Sequence, residues 1–266
     1  MKNKKFYGQH FLKDKAYLRR IVEAAKIEKD DTVFEIGPGD GALTRLLVER
    51  AKRVVAVEID KDAVNALKQN VVSDALDIYC DDIQNISDKR MRSWTRGPFI
   101  LVANIPYNIT AEIIKKFITR TAPENTIPSR AVLLVQKEVA DRIVAGAGNM
   151  NMLALAVRLY GEPKKLIEVP AGAFYPPPKV DSAVLSWRRF ATSELKQRGA
   201  EDPERVLSFA NAAFLAKRKQ IQNTLGGKFG KERVKNALEE LKKSDKARPE
   251  ELSVDDWLAL FHRLAG

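Results

Sequence analysis

The segment Thr32-Val33-Phe34-Glu35-Ile36-Gly37-Pro38-Gly39-Asp40-Gly41 runs a short apolar stretch into three glycines in five residues, and helical spacing resumes over 42–50. Glycine lets the backbone turn sharply and approach a ligand closely, and open α/β sheets bind ligands at the carboxyl ends of their strands. Outward from this unit the alternation continues. Helical spacing over 16–26 precedes it, and Arg53-Val54-Val55-Ala56-Val57-Glu58-Ile59-Asp60 follows as a second strand. Helical residues 61–71 lead to a strand ending at Cys80-Asp81-Asp82. A fourth strand ends at Asn104, and a fifth covers Arg130–Gln136. Helices follow at 109–120, 137–145 and 152–160, and strands six and seven flank the proline-rich segment 172–181. Short apolar strands separated by helices predict a parallel sheet covered on both faces. Three consecutive prolines exclude a helix between the last two strands, which predicts an antiparallel pair at the sheet edge.

After Phe190 the pattern changes. Residues 191–204 read as a polar linker, and helical spacing then runs over 203–216, 218–225, 231–242 and 254–264. The expected organisation is an α/β domain over 1–190 and a small all-helical domain over 195–266.

At 266 residues and 45% hydrophobic content the chain can bury a sizeable core. Its one cysteine, Cys80, and two distant histidines, His10 and His262, leave neither a disulfide nor a metal-ligand cluster. Cys80 reads as a small buried hydrophobe. The basic N-terminus has no apolar run after it and no stretch spans a membrane, so a cytoplasmic protein is expected; no long apolar stripe is left over, so a monomer is expected. The net charge of +11 is concentrated: residues 1–20 carry +6 and residues 215–233 carry +5. Clustered cations of this kind suit a polyanion.

Glu58, about 20 residues after the glycines, sits where a carboxylate accepts from ribose hydroxyls. Gly37-x-Gly39-x-x-Ala42 also satisfies the loose dinucleotide fingerprint, so a nicotinamide cofactor stays open at this point. Two features favour S-adenosyl-L-methionine. Asp81 and Asp82 end the third strand, where a carboxylate can accept from an adenine amine. The fourth strand ends in Asn104-Ile105-Pro106-Tyr107, which offers no proton relay for hydride transfer.

That tetrapeptide resembles the Asn/Asp-Pro-Pro-Tyr motif of amino-methyltransferases, and its Ile-Pro-Tyr form resembles the rRNA adenine N6,N6-dimethyltransferases. Three further segments agree: Gly8-Gln9-His10-Phe11-Leu12-x-Asp14, Glu35-Ile36-Gly37-Pro38-Gly39, and Phe174-Tyr175-Pro176-Pro177-Pro178-Lys179-Val180-Asp181-Ser182. The resemblance runs from residue 6 to about 225, and the proline-rich segment favours the small-subunit branch over the macrolide-resistance methyltransferases of large-subunit rRNA. It implies a seven-stranded Rossmann-like class I methyltransferase sheet. It also implies S-adenosyl-L-methionine as cofactor and S-adenosyl-L-homocysteine as product. By resemblance Gln9, His10 and Leu12 lie at the methionine end with Gly37 and Gly39. Glu58 holds the ribose, Asp82 and Ile83 bind the adenine, and Ile59 and Asn104 are further cofactor contacts.

The chemistry follows from the residues. An adenine N6 amine is a poor nucleophile because its lone pair is delocalised. The Asn104 side-chain oxygen and the Ile105 carbonyl can accept its two N–H bonds and aim the lone pair, while Pro106 fixes the backbone. Tyr107 can stack on the base, and Phe174 is the family's aromatic on its other face. Lys4, Lys5, Arg218 and Lys219 are the candidate phosphate contacts. The implied substrate is a pair of adjacent adenines in a hairpin loop near the 3′ end of small-subunit (16S) rRNA, in an immature 30S particle. The competing readings are an assembly factor acting mainly by binding and a resistance-type enzyme on large-subunit rRNA.

Overall fold

The computed structural model describes residues 10–123, 126–216 and 219–266. Strand β1 (Phe11–Leu12) and helix α1 (Lys15–Ala25) open the chain. Then β2 (Thr32–Ile36), α2 (Ala42–Val48), β3 (Arg53–Glu58), α3 (Lys61–Asn70), β4 (Leu76–Cys80), α4 (Asp88–Thr95) and β5 (Ile100–Asn104) alternate. They are followed by α5 (Thr110–Phe117), β6 (Arg130–Gln136), α6 (Lys137–Val144), α7 (Met152–Tyr160), β7 (Gly161–Val169), β8 (Phe174–Tyr175) and β9 (Ser182–Arg189). The remaining elements are helices: α8 (Thr192–Gln197), α9 (Pro203–Phe214), α10 (Ile221–Phe229), α11 (Lys231–Glu240) and α12 (Val254–Ala265).

Seven strands form one sheet in the order β4-β3-β2-β5-β6-β9-β7. The strands from β4 to β6 are parallel, and β9 runs antiparallel to β6. The seven-stranded α/β sheet expected from the sequence is therefore present. β7 holds the edge, and the proline-rich return inserts β9 between it and β6. The central strands are apolar and buried, as a parallel sheet covered on both faces requires. At the opposite edge β4 is only partly covered, and Cys80 at its end is exposed, not buried as the sequence suggested.

Gly41 explains the tight passage from β2 to α2. Its φ of +87° is left-handed, and a Cβ there would lie 2.7 Å from Leu67 Cδ1 and 2.8 Å from Val71 Cγ2. Only glycine combines that backbone with that approach of α3. Asp60 then caps α3, its carboxylate accepting from Asp62 N at 2.9 Å, so the chain turns away directly after Glu58.

By its contacts the chain forms two compact units. One takes the chain through Ile118 with Ala122–Ala140 and Pro163–Arg189; the other takes Thr119–Thr121, Asp141–Glu162 and Phe190–Gly266. The division expected near 190 thus differs from the observed one by the segments 119–121 and 141–162. Within the second unit α7 packs on α9 and α12, and Gly148 N and Met150 N donate to the Glu250 carbonyl. A boundary drawn from a change of composition does not see an apolar helix pairing with partners 50 to 100 residues later. The second unit closes on an aromatic cluster in which Phe209 and Phe214 meet Trp257, itself fully buried. Its α8 occupies part of the segment read as linker. No helix among the described residues is long and apolar enough to cross a membrane.

Two elements had no strand signal. β1 and β8 are two residues each and pair antiparallel, Phe11 with Tyr175 and Leu12 with Phe174. They tie the N-terminal arm to the segment between β7 and β9, and they complete the site.

Candidate active site

At the carboxyl ends of β2 to β5 lies a cavity of about 320 Å³. The glycine-rich turn forms its floor. Gly37 N donates to the Val57 carbonyl at 2.9 Å, which joins the turn to the end of β3. Gly39 has a φ of +58°, and a Cβ on it would lie 2.6 Å from Phe11 Cε1. The absent side chain is what lets the Phe11 ring settle on the turn and wall the cavity.

One end of the cavity is carboxylate-rich. Glu58 is buried, and its two oxygens accept from Ile59 N at 2.9 Å, Asp60 N at 3.0 Å and Gly39 N at 3.2 Å. Burial pushes its pKa up, and those three N–H groups oppose the shift. A carboxylate has about four acceptor positions, so these three bonds leave one over on a residue that lines the cavity. Asp82 caps the turn Ile83–Asn85, accepting from Gln84 N and Asn85 Nδ2 at 2.9 Å each. Asp81 is held by Arg90 at 2.5 Å. Ile59, Asp81, Asp82 and Ile83 all line the cavity, and Ile59 is 45% exposed there. Beneath the turn, Glu35 is fully buried with Thr44 Oγ1 donating to it at 2.7 Å. Desolvation raises its pKa from 4.5 to about 8 despite the Thr44 bond, with the nearby Glu58 charge adding to the rise.

The other end is built from Asn104, Ile105, Pro106 and Tyr107, all on the cavity wall. Asn104 is the last residue of β5, and Ile105 N donates to the Leu134 carbonyl of β6 at 3.2 Å, so the strand register holds the tetrapeptide. Asn104 Nδ2 donates to the His10 carbonyl at 3.0 Å. That bond commits the amide nitrogen to the N-terminal arm and leaves Oδ1 as an acceptor. His10 Nδ1 donates to the Pro176 carbonyl at 2.8 Å. The Tyr107 hydroxyl lies 2.6 Å from Ser182 Oγ, and its ring sits 5.8 Å from the His10 ring at an interplanar angle of 32°. Burial raises the Tyr107 pKa, so the phenol keeps its proton.

The sheet order and this cavity agree with what the whole chain matches. The family model described as ribosomal RNA adenine dimethylase matches residues 1–266. The chain belongs to that family. It is 38% identical over 270 residues to a ribosomal RNA small subunit methyltransferase A of Fusobacterium nucleatum, covering 100% of this chain and 98% of that relative. The solved structure of a 23S rRNA methyltransferase, ErmE, superposes with a TM-score of 0.80 at 30% identity, covering 96% of this chain and 100% of that one. A dimethyladenosine transferase from Plasmodium falciparum gives a TM-score of 0.74 at 27% identity over 95% and 96% of the two chains.

Of the site residues expected in this dimethylase, His10, Gly37, Gly39, Glu58, Ile59, Asp82, Ile83 and the tetrapeptide 104–107 come together on the cavity. Two do not. Leu12 is 3% exposed and Phe174 is 4% exposed, and both pack in the hydrophobic core with Val169 and Val184. They are Cα partners in the β1–β8 pair, so they share one face of that ribbon, and it is the inner one. Their neighbours Phe11 and Tyr175 share the other face. Phe11 walls the cavity, and Tyr175 is 70% exposed. The alternation is the physical reason: a two-residue strand sends adjacent side chains to opposite sides, and the sequence did not reveal the strand. Phe11, Val57, Gln84 and Asn108 are lining residues that the sequence reading did not single out as ligand contacts. Gln9, Lys4, Lys5 and Arg218 lie outside the described residues. Lys219 is exposed in the second unit and is not among the residues that line the cavity.

Proposed function

We propose that this dimethylase transfers methyl groups from S-adenosyl-L-methionine to N6 of two adjacent adenines in a hairpin loop near the 3′ end of small-subunit (16S) rRNA, on an immature 30S particle, leaving S-adenosyl-L-homocysteine. The cavity suits that cofactor on its own chemistry. Glu58 keeps an acceptor position for a ribose hydroxyl, the exposed side chain of Ile59 offers an apolar surface to an adenine ring, and Asp82 and Ile83 stand where its edge would lie. Gly37 and Gly39 keep the floor open for the methionine end, beside His10. When bound, the cofactor supplies an electrophilic methyl group on a sulfonium.

The orientation of Asn104 carries the reading of the acceptor. Its amide nitrogen is committed to His10, so its oxygen accepts from the N6 amine, with the Ile105 carbonyl as second acceptor. Holding both N–H bonds aims the nitrogen lone pair, and positioning of this kind supplies most of the rate. Tyr107 offers a ring face to the base, and stacking on an aromatic is worth about 1–3 kcal/mol per base. The base must leave its stack to reach the cavity, which suits unpaired loop adenines. Exposed Lys219, Lys228, Lys231 and Arg233 give the helical unit a cationic segment for phosphates of the particle.

The identity over the full length to a small subunit methyltransferase A supports the small-subunit substrate. The TM-score of 0.80 to a 23S rRNA methyltransferase favours a second reading, a large-subunit substrate. Mass spectrometry of nuclease-digested RNA separates them, after incubation with cofactor and either unmethylated small-subunit particles or naked large-subunit RNA. N6,N6-dimethyladenosine is expected only in the first. Product only in the second would move the protein to the other substrate. Particle binding with no product in either would leave an assembly role by binding alone.

A further inference from the structure

We infer that Ser182 is a positioning residue for the target base: its hydroxyl anchors the far end of the Tyr107 ring on which the adenine stacks. The inference rests on the base-stacking reading of Tyr107.

Tyr107 starts a short 3-10 turn, Tyr107–Ile109, and its ring is only partly covered, with its side chain on the cavity wall. A ring so placed swings about its Cα–Cβ torsion unless something holds its far end. Ser182 does so at 2.6 Å from the phenol oxygen. The serine is itself immobile. It is fully buried as the first residue of β9, paired with Gln136 of β6. The residue before it is pinned twice, Lys137 N donating to the Asp181 carbonyl at 2.9 Å and Ala171 N to Asp181 Oδ1 at 3.0 Å. A buried hydroxyl costs free energy unless it is hydrogen-bonded, and this one is bonded to Tyr107. The far end of the ring is thereby tied to the β6–β9 ladder through Ser182, 75 residues away in sequence.

The consequence differs between the two methyl transfers. In the first, two N–H bonds to Asn104 and Ile105 orient the amine, and the stacking plane adds to them. In the second, one N–H has been replaced by N–CH3 and one hydrogen bond remains. The stacking plane is then the larger part of what holds the nitrogen in line, so loosening Tyr107 slows the second transfer more than the first.

The test measures the ratio of monomethyl- to dimethyladenosine in small-subunit particles under limiting enzyme, together with cofactor affinity by calorimetry. The variants are Ser182→Ala, Ser182→Thr, Tyr107→Phe and the double variant Tyr107→Phe/Ser182→Ala. Removing a hydrogen bond of ordinary strength predicts that Ser182→Ala and Tyr107→Phe each raise the ratio about three- to tenfold. The double variant should match either single, Ser182→Thr should restore the wild-type ratio, and cofactor affinity should not move. An unchanged ratio in Ser182→Ala, an additive double variant, or a parallel fall in cofactor affinity would overturn the inference. Should Ser182→Ala fail to fold, Tyr107→Phe breaks the same bond from its other side. Tyr107→Ala separates the two levels of the argument. If it abolishes product while Ser182→Ala leaves the ratio alone, positioning alone is wrong; if it too has no effect, the stacking reading falls as well.

Discussion

The two ends of the cavity are assembled in different ways. At the carboxylate end the hydrogen bonds are local: Glu58 is held by its own neighbours Ile59 and Asp60 and by Gly39, 19 residues away, and Asp82 by Gln84 and Asn85. At the tetrapeptide end they are long-range. Asn104 reaches His10 over 94 residues, Tyr107 reaches Ser182 over 75, and His10 reaches Pro176 over 166. The first end needs only the three turns that follow β2, β3 and β4. The second needs the N-terminal arm, β5 and the β7–β9 segment brought together. Cofactor binding and base positioning should therefore respond separately to mutation, and each variant below attacks that separation.

The largest effect is expected for Asn104→Ala. It removes the acceptor for the amine and the donor to the His10 carbonyl together, and loss of alignment at the reacting atom lowers kcat on the order of 10²-fold. Calorimetry should show a far smaller change in cofactor affinity. Equal losses in both would mean that the two ends are one unit and would break the comparison.

Glu58→Gln attacks the other end. The amide nitrogen cannot accept from Gly39 or from Ile59 and Asp60, so buried N–H donors lose a charged partner. Hydrogen bonds to charged groups are worth about 1.5–3 kcal/mol, which corresponds to a loss of cofactor affinity of about tenfold or more. At saturating cofactor kcat should recover. A variant that stays slow at saturation would show that Glu58 also shapes the base end.

This division matches what was legible in the sequence. The sheet was readable because its central strands are short apolar runs and the turns after β2, β3 and β4 carry Gly or Asp. Gly37, Gly39, Glu58 and Asp82 were readable because their partners are nearby in the chain. Asn104–Tyr107 was readable as a motif, but not the contacts that orient it. β1 and β8 have two residues each, too few for any alternation to register, and so Leu12 and Phe174 were assigned to the cavity when the ribbon turns them inward. The membership of α7 in the helical unit was hidden for a related reason: its apolar face shows that it packs, not on what.

Glu35 gives a smaller effect, on stability. Unfolded, its carboxyl ionises near 4.5; folded, burial keeps the proton to about 8. Between those values the folded state binds more protons than the unfolded one, so stability falls as pH rises. The contribution is fully present below about 4.5 and gone above about 8. Glu35→Gln keeps the shape and the Thr44 bond without the ionisation. Thermal melts across that range should show a flatter dependence of Tm on pH for the variant. Parallel curves would mean that Glu35 ionises in the folded protein as freely as in the unfolded chain.

The smallest effect is expected for His10→Ala, and it bears directly on how the long-range end is held. The side chain contributes one bond, from Nδ1 to the Pro176 carbonyl at 2.8 Å. The arm keeps the β1–β8 pairing, the bond from Lys13 N to the Ala173 carbonyl at 3.0 Å, and the His10 carbonyl that accepts from Asn104. All three are made by main-chain atoms of the arm that the substitution leaves in place. One net hydrogen bond lost at a partly exposed position predicts a fall in kcat/KM of about two- to fivefold. A fall on the scale of Asn104→Ala would show instead that the imidazole, and not the ribbon, sets the position of the His10 carbonyl. The orientation of the Asn104 amide would then depend on a side-chain contact spanning 166 residues.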